Sequence, residues 1–170
     1  MGCGKSSVGR RLSELLCCPF MDLDDVIVEK EGRSIPEIFA TDGESAFRQM
    51  EMEALKGILS QSATDRCAPL APTLILALGG GAVMTPECAQ IVHEQTLCIY
   101  LRASIETLME HLSGEAEERP MLKGDTLRER ITELMKLRSE TYENTAHMVI
   151  DIDGMTIDAV SLKLLQLYKL

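Results

Sequence analysis

What this chain has little of is the first guide. No stretch approaches the ~20 apolar residues that cross a bilayer. The opening Gly2-Cys3-Gly4-Lys5-Ser6-Ser7 lacks the apolar core of a signal peptide. A membrane partner is thereby excluded, and the cytoplasm is the expected compartment. Positive charge is scarce: 17 Lys and Arg stand against 27 Asp and Glu, a formal net charge of -10. Nucleic acid requires a basic surface, so it is excluded as a partner. The six cysteines (Cys3, Cys17, Cys18, Cys67, Cys88, Cys98) show no CxxC or Cys/His spacing. They read as reduced, small apolar residues rather than metal ligands or disulfides. No internal repeat, linker or low-complexity tract divides the 170 residues. One domain, 1–170, is expected, long enough to bury a core.

What is present alternates. Val8, Leu12, Leu15 and Leu16 have helical spacing after a glycine-rich start, and Pro19 ends that helix. Phe20 to Leu23 is a short strand candidate. Val26 to Lys30 reads as helix and stops at Gly32, and Ser34-Ile35-Pro36-Glu37 opens another. Gly43 starts a longer helix reaching about residue 60. Residues 73–78 and 96–101 are apolar runs, as expected of strands buried on both faces. Helices are expected from Thr85-Pro86-Glu87, from Ser104, over about 125–145 and from about Thr156, with a last strand at 148–152. Residues 113–124 are polar and read as a mobile loop. Such alternation predicts an α/β fold with a mainly parallel sheet and helices on both faces.

Four constellations carry chemistry. Gly2-Cys3-Gly4-Lys5-Ser6 matches the last five residues of G-x-x-x-x-G-K-[ST]. In that motif backbone N–H groups and a helix N-terminus wrap phosphates, the Lys contacts β- and γ-phosphate oxygens, and the Ser hydroxyl ligates Mg²⁺. The motif's first glycine, and the strand leading into it, would lie before Met1. Either the protein starts upstream, or the sheet is incomplete at its central first strand. Next, Asp22 and Asp24 are two apart at a predicted strand end, so they are expected to point the same way. One suits Mg²⁺ and the other a hydroxyl or general-base role; capping of the following helix is the plainer alternative, and it suits Asp25 better.

The third is Gly43-Glu44-Ser45-Ala46-Phe47-Arg48-Gln49-Met50-Glu51. Arg48 shares a helical stripe with Met52, Leu55 and Leu59, so it must be paired or face a ligand. An Arg fork on a carboxylate and an ion pair with Glu51 at i+3 are both open. Fourth, Gly79-Gly80-Gly81 follows a buried strand at the end where open α/β sheets bind ligands. Close approach of a ligand to the backbone, or a turn with unusual dihedrals, would each call for glycine. Arg119, in Arg119-Pro120-Met121-Leu122, could swing from the polar loop onto phosphates, or be an ordinary solvated loop residue. Arg138 lies on an apolar helical face with Ile131, Leu134 and Tyr142, facing an anionic substrate or a structural ion pair.

Taken in order from Gly2 to Tyr142, these motifs resemble the shikimate kinase family, whose pattern runs from the P-loop through D-x-D, G-E-x-x-F-R-x-x-E, G-G-G-A and R-P-[LM]-L to L-R-x-x-x-Y. The resemblance implies the nucleoside monophosphate kinase fold, with a five-stranded parallel sheet, a substrate-binding region at about 22–60 and a lid at about 113–124. It also implies a monomer that phosphorylates the 3-hydroxyl of shikimate from ATP, on the route to chorismate and aromatic amino acids. By the same resemblance Gly2, Cys3, Gly4, Lys5, Ser6 and Ser7 bind ATP phosphates, with Mg²⁺ held by Ser6 and, through water, Asp22. Asp24 holds the reacting hydroxyl and can accept its proton. Arg48 and Arg138, with Gly79, Gly80 and Gly81, clamp the carboxylate, and Arg119 is the lid arginine. Lys5, Asp24 and Arg119 are thus the expected catalytic residues. The stretch His111-Leu112-Ser113-Gly114 lacks the Arg that many relatives stack on adenine; His111 could substitute in part, though an uninvolved surface residue is the plainer reading. The alternatives are another small-acid kinase, such as a gluconate kinase, or a non-catalytic nucleotide-binding domain.

Overall fold

The structure is a computed structural model that describes residues 2–62, 72–115 and 125–168. Helix α1 (Lys5–Leu16) begins behind Gly4, which holds a left-handed conformation at φ 71° that a side chain would strain. Val8 and Leu12, one turn apart, are buried. The helix ends at Cys17, itself left-handed at φ 51°, whose N–H returns to the carbonyls of Ser13 and Glu14. Pro19 then prevents its resumption.

Strand β1 (Phe20–Asp22) runs directly into α2 (Leu23–Glu31), which Gly32 closes at φ 65°. In front of α3 (Ile35–Thr41), the N–H and the hydroxyl of Ser34 both donate to the Glu37 carboxylate, at 2.8 and 2.6 Å. Helix α4 (Gly43–Ser62) follows. Strand β2 (Ile75–Ala77) leads through a 3₁₀ turn (Ala82–Met84) to α5 (Pro86–Gln95). The order continues β3 (Ile99–Arg102), α6 (Ile105–Glu115), α7 (Asp125–Thr145), β4 (Met148–Asp151) and α8 (Ile157–Tyr168). Element types follow the sequence reading, though β2 is shorter than the apolar run that announces it.

Pairing is parallel throughout. Phe20 lies beside Ile75 and Asp22 beside Ala77, while Ile99 lies beside Met148 and Arg102 beside Asp151. These are two separate two-stranded sheets, β1-β2 and β3-β4. The five-stranded sheet implied by the resemblance is therefore not formed among the described residues, because none of them occupies the position between β2 and β3.

The core is divided the same way. Val8, Leu12, Leu101, Ile131, Ile150 and Leu164 belong to one buried cluster, built on α1, β3, α6, α7, β4 and α8. Leu23, Ile27, Ile38, Phe47, Leu55 and Val92 belong to another, built on α2 to α5. The carboxyl ends of β1 and β2, with the start of α1, carry the candidate site.

Candidate active site

The loop Gly2–Gly4 presents the start of α1, whose first N–H groups have no partner within the helix. The first intrahelical bond is from the Val8 N–H to the Gly4 carbonyl, at 2.9 Å. Helix α6 braces the loop from outside. His111 donates its Nδ1–H to the Gly2 carbonyl at 2.7 Å, and a Cβ on Gly2 would lie 2.9 Å from Leu112 Cγ. His111 is thus neither idle at the surface nor shown to serve the adenine; it anchors the loop. Cys3 is buried beneath it, and Ser7 is exposed.

Ser6 donates its hydroxyl to Asp22 Oδ2 at 2.6 Å. The other oxygen of Asp22 accepts the Asp24 N–H at 3.1 Å, which makes Asp22 the N-cap of α2. The expectation that Asp22 and Asp24 point the same way from a strand end, by strand alternation, is corrected here. Asp24 sits in the first turn of α2, because Asp22 ends the strand by capping that helix. Both still reach the site, by different elements.

Burial, and then the charge of Asp22, push the Asp24 carboxyl above its usual range, with Lys5 opposing. An ideal Cβ on Gly79 would lie 2.8 Å from Asp24 Oδ1 and 3.0 Å from Glu51 Oε1. A Cβ on Gly81 would fall on the Arg48 guanidinium. None of Gly79, Gly80 and Gly81 has a positive φ. Side chains pressing on the backbone, rather than unusual dihedrals, therefore account for glycine at 79 and 81.

Arg48 is bound from two sides, by Glu51 Oε2 at 2.5 Å and by the exposed Glu44 Oε1 at 2.8 Å. Of the two sequence readings the i+3 ion pair with Glu51 is formed, and the same side chain lies at the glycine-lined strand end. Glu51 is 1% exposed, and its Oε1 has no hydrogen-bond partner among the described residues. Burial raises its carboxyl, against the pull of Arg48. An unpartnered buried oxygen beside Asp24 and Gly79 requires a donor, which a ligand hydroxyl or a water can supply.

From α7, Arg138 Nη1 donates to the Gly80 carbonyl at 3.3 Å, and the Tyr142 hydroxyl donates to the same oxygen. The Tyr142 ring leans on Tyr100 at 5.2 Å. A cavity of about 100 Å³ joins Cys3 and Lys5 to Gly79, Gly80, Tyr100 and Tyr142. A larger cleft lies mostly away from these groups, between β2 and β3. Of the sequence candidates, Ser6, Asp22, Asp24, Arg48, Arg138 and the glycines are brought together around the ends of β1 and β2. Arg119 lies outside the described residues, as do residues 116–124, while residues 113–115, expected to open that loop, belong to α6 instead. Tyr142 as a holder of Gly80 was legible only as an apolar-face position, and His111 as a loop anchor had no sequence signal.

The sequence matches the family model described as shikimate kinase over residues 1–169. It is 37% identical to a shikimate kinase of Dictyoglomus turgidum over 168 residues, covering 98% of this chain and 91% of that one. To a shikimate kinase of Geobacter metallireducens it is 39% identical over 160 residues, covering 94% of this chain and 83% of the relative. The fold superposes on the shikimate kinase from Acinetobacter baumannii solved in complex with shikimate, with a TM-score of 0.83, 31% identity, and coverage of 98% of this chain and 87% of that one. Match and geometry agree that the chain belongs to the shikimate kinase family.

Proposed function

We propose that this chain transfers the γ-phosphoryl group of ATP to the 3-hydroxyl of shikimate, giving ADP and shikimate 3-phosphate. The observation that carries the reading is convergence: Asp24 from α2 abuts Gly79, and Arg48 from α4 abuts Gly81, at one strand end beside the phosphate-type loop. The family membership of the chain and the shikimate-bound relative support it. In the reaction a bond forms between the shikimate oxygen and Pγ, while the bond from Pγ to the β,γ-bridging oxygen breaks. The hydroxyl proton passes to Asp24, which must be ionised to take it. No covalent enzyme intermediate is needed; position and charge do the work.

Backbone N–H groups of Gly2–Ser7 and the ammonium of Lys5 bind the phosphates. Arg48 and Arg138 hold the carboxylate, with Gly79, Gly80 and Gly81 leaving room for the ring. Arg119 would neutralise phosphate charge when the loop 113–124 closes. The donor set fits Mg²⁺: a hydroxyl and a carboxylate already 2.6 Å apart are hard oxygen ligands. No cluster of three His, Cys, Asp or Glu side chains fit for a metal exists among the described residues. Mg²⁺ characteristically takes one or two protein oxygens and completes its shell with phosphates and water. Ser6, and Asp22 through water, would hold it, and it would supply charge neutralisation on the phosphates. We read the protein as a single-domain cytoplasmic monomer; no helix among the described residues is long and apolar enough to cross a membrane.

The test is ADP release by this chain with Mg-ATP, alone and with shikimate, gluconate or quinate. Strong dependence on shikimate is expected. Equal stimulation by gluconate would replace the substrate, and nucleotide binding without turnover on any acid would replace the activity.

A further inference from the structure

Of the three glycine carbonyls after β2, two are taken up by the 3₁₀ turn: Gly79 accepts from Ala82 at 3.1 Å, and Gly81 from Met84 at 3.0 Å. The Gly80 carbonyl faces α7 instead and takes two donors, Arg138 Nη1 at 3.3 Å and the Tyr142 hydroxyl. These residues are four apart, so one turn of α7 brings both to the same oxygen. A carbonyl has two lone pairs and can accept from both.

The two donors are not equivalent. Arg138 is half-buried, forms no ion pair among the described residues, and rests on the Gly80 carbonyl alone. Arg48, by contrast, is tied to Glu51 and Glu44. A cation on a neutral oxygen, beyond the usual hydrogen-bond length, is drawn off by an anion, whose charge-assisted bonds are stronger. Tyr142 has no such alternative partner to move to. Its ring packs against the core cluster of α2 to α5 and leans on Tyr100, whereas Leu127 and Ile131 of the same helix belong to the other cluster.

The held oxygen matters because the Gly80 C=O and the Gly81 N–H share one planar trans peptide and point in opposite directions. Fixing the carbonyl toward α7 turns that N–H away from α7, and it donates to no described residue. The Arg48 guanidinium stands against the same glycine.

We propose that Tyr142 is a positioning residue for a carboxylated substrate. When the carboxylate arrives, Arg138 leaves the Gly80 carbonyl for it. The Tyr142 hydroxyl stays, keeps that oxygen satisfied, and holds the Gly80–Gly81 peptide with its N–H free for the ligand. Tyr142 touches no substrate atom; it acts through Gly80 and Arg138. The inference rests on the kinase reading, since the carboxylate is that of the acid proposed above.

The experiment uses the full chain. Tyr142→Phe keeps the ring on Tyr100 and removes the hydroxyl; it is made alone and together with Arg138→Ala. Kinetics are measured with shikimate and Mg-ATP varied in turn, and thermal unfolding is followed without ligands. With Arg138 present, Tyr142→Phe is expected to raise KM for shikimate roughly tenfold, on the scale of one donor lost from a buried acceptor. kcat and KM for Mg-ATP should not change, and Tm should hardly move, because Arg138 still covers the carbonyl. On top of Arg138→Ala, the same change should add nothing to KM and should lower Tm by about 2–4 °C, because no donor remains with or without ligand. A Tyr142 that is merely structural would raise KM equally in both backgrounds, or lower Tm equally in both, and either result overturns the proposal. So does an unchanged KM for shikimate in the single variant. Absence of shikimate-dependent turnover in the unaltered chain would overturn the kinase reading instead; the Tm comparison, which needs no substrate, then decides whether Tyr142 and Arg138 share the Gly80 carbonyl.

Discussion

Ser6 and Asp22 hold each other at 2.6 Å, although one opens α1 and the other ends β1. On the proposed reading, a divalent cation at Ser6 would displace or share that hydrogen bond, and Asp22 would hold it through water. Asp22→Asn is expected to raise the Mg²⁺ concentration for half-maximal activity about tenfold, the lower end for residues that act behind the ligand. Titration of ADP release with Mg²⁺ at fixed ATP checks it; an unchanged midpoint would confine Asp22 to capping α2.

As the proposed proton acceptor, Asp24 is expected to set the acid limb of activity. Its carboxyl is raised by burial and by Asp22. A folded-state value above the unfolded one means that the protonated form favours the fold. That contribution is full below the ordinary carboxylate range, near ~3.9, and is lost as pH rises through the raised value. The proton-accepting form exists only above it. The limb in kcat should therefore lie above the ordinary aspartate range. Asp24→Asn should abolish it, lower kcat by about 100-fold, and leave Tm at neutral pH unchanged or higher. A near-normal kcat would leave Asp24 a positioning role only.

The two arginines separate by stability. With Arg138 in the proposed carboxylate clamp, Arg138→Ala is expected to raise KM for shikimate about 10- to 100-fold, as loss of ~1.5–3 kcal/mol of charged hydrogen bonding implies, with KM for ATP little changed. Arg48→Ala should do the same and also strip the buried Glu51 of its partner. Its unfolding free energy should fall by about 3 kcal/mol, the low end for a broken buried pair. Chemical denaturation of both variants makes the distinction, and equal effects on the two KM values would remove either residue from the clamp.

His111 should act on the nucleotide side alone. Without its bond to the Gly2 carbonyl, the loop loses its tie to α6. His111→Ala is expected to raise KM for Mg-ATP several-fold, on the scale of one lost hydrogen bond of ~1 kcal/mol, and to leave KM for shikimate unchanged. Kinetics with each substrate varied in turn decide this.

Much of this arrangement was legible in the sequence. Gly4 followed by Lys5 and Ser6 announced the start of a helix, Asp22 and the three glycines were placed at strand ends, and Arg48 was placed on a helical stripe where it must be paired or face a ligand. The path of Asp24 was not legible, because whether an Asp continues a strand or caps the next helix depends on which N–H its carboxylate finds. Nor was the reason for Gly79 and Gly81: it lies in Asp24, Glu51 and Arg48, which reach them from other helices. His111 and Gly2 are 109 residues apart, and no local pattern marks such a bond. The alternation of strands and helices showed parallel pairing, and the phosphate-loop motif that opens at Gly2 pointed to a sheet without its central first strand among these residues, as the two separate sheets show.

The divided core has a consequence for how this protein melts. One cluster carries the start of α1, α6 and α7, while the other carries α2 to α5 with Asp24 and Arg48. Polar ties across the division include Ser6 to Asp22, and Arg138 and Tyr142 to the Gly80 carbonyl. Each half can thus behave as its own cooperative unit, opening at its own free energy. A phosphate donor seated on one half and an acid seated on the other would act as a weld: calorimetry should show two overlapping transitions for the bare chain and a single sharper one when both ligands are present.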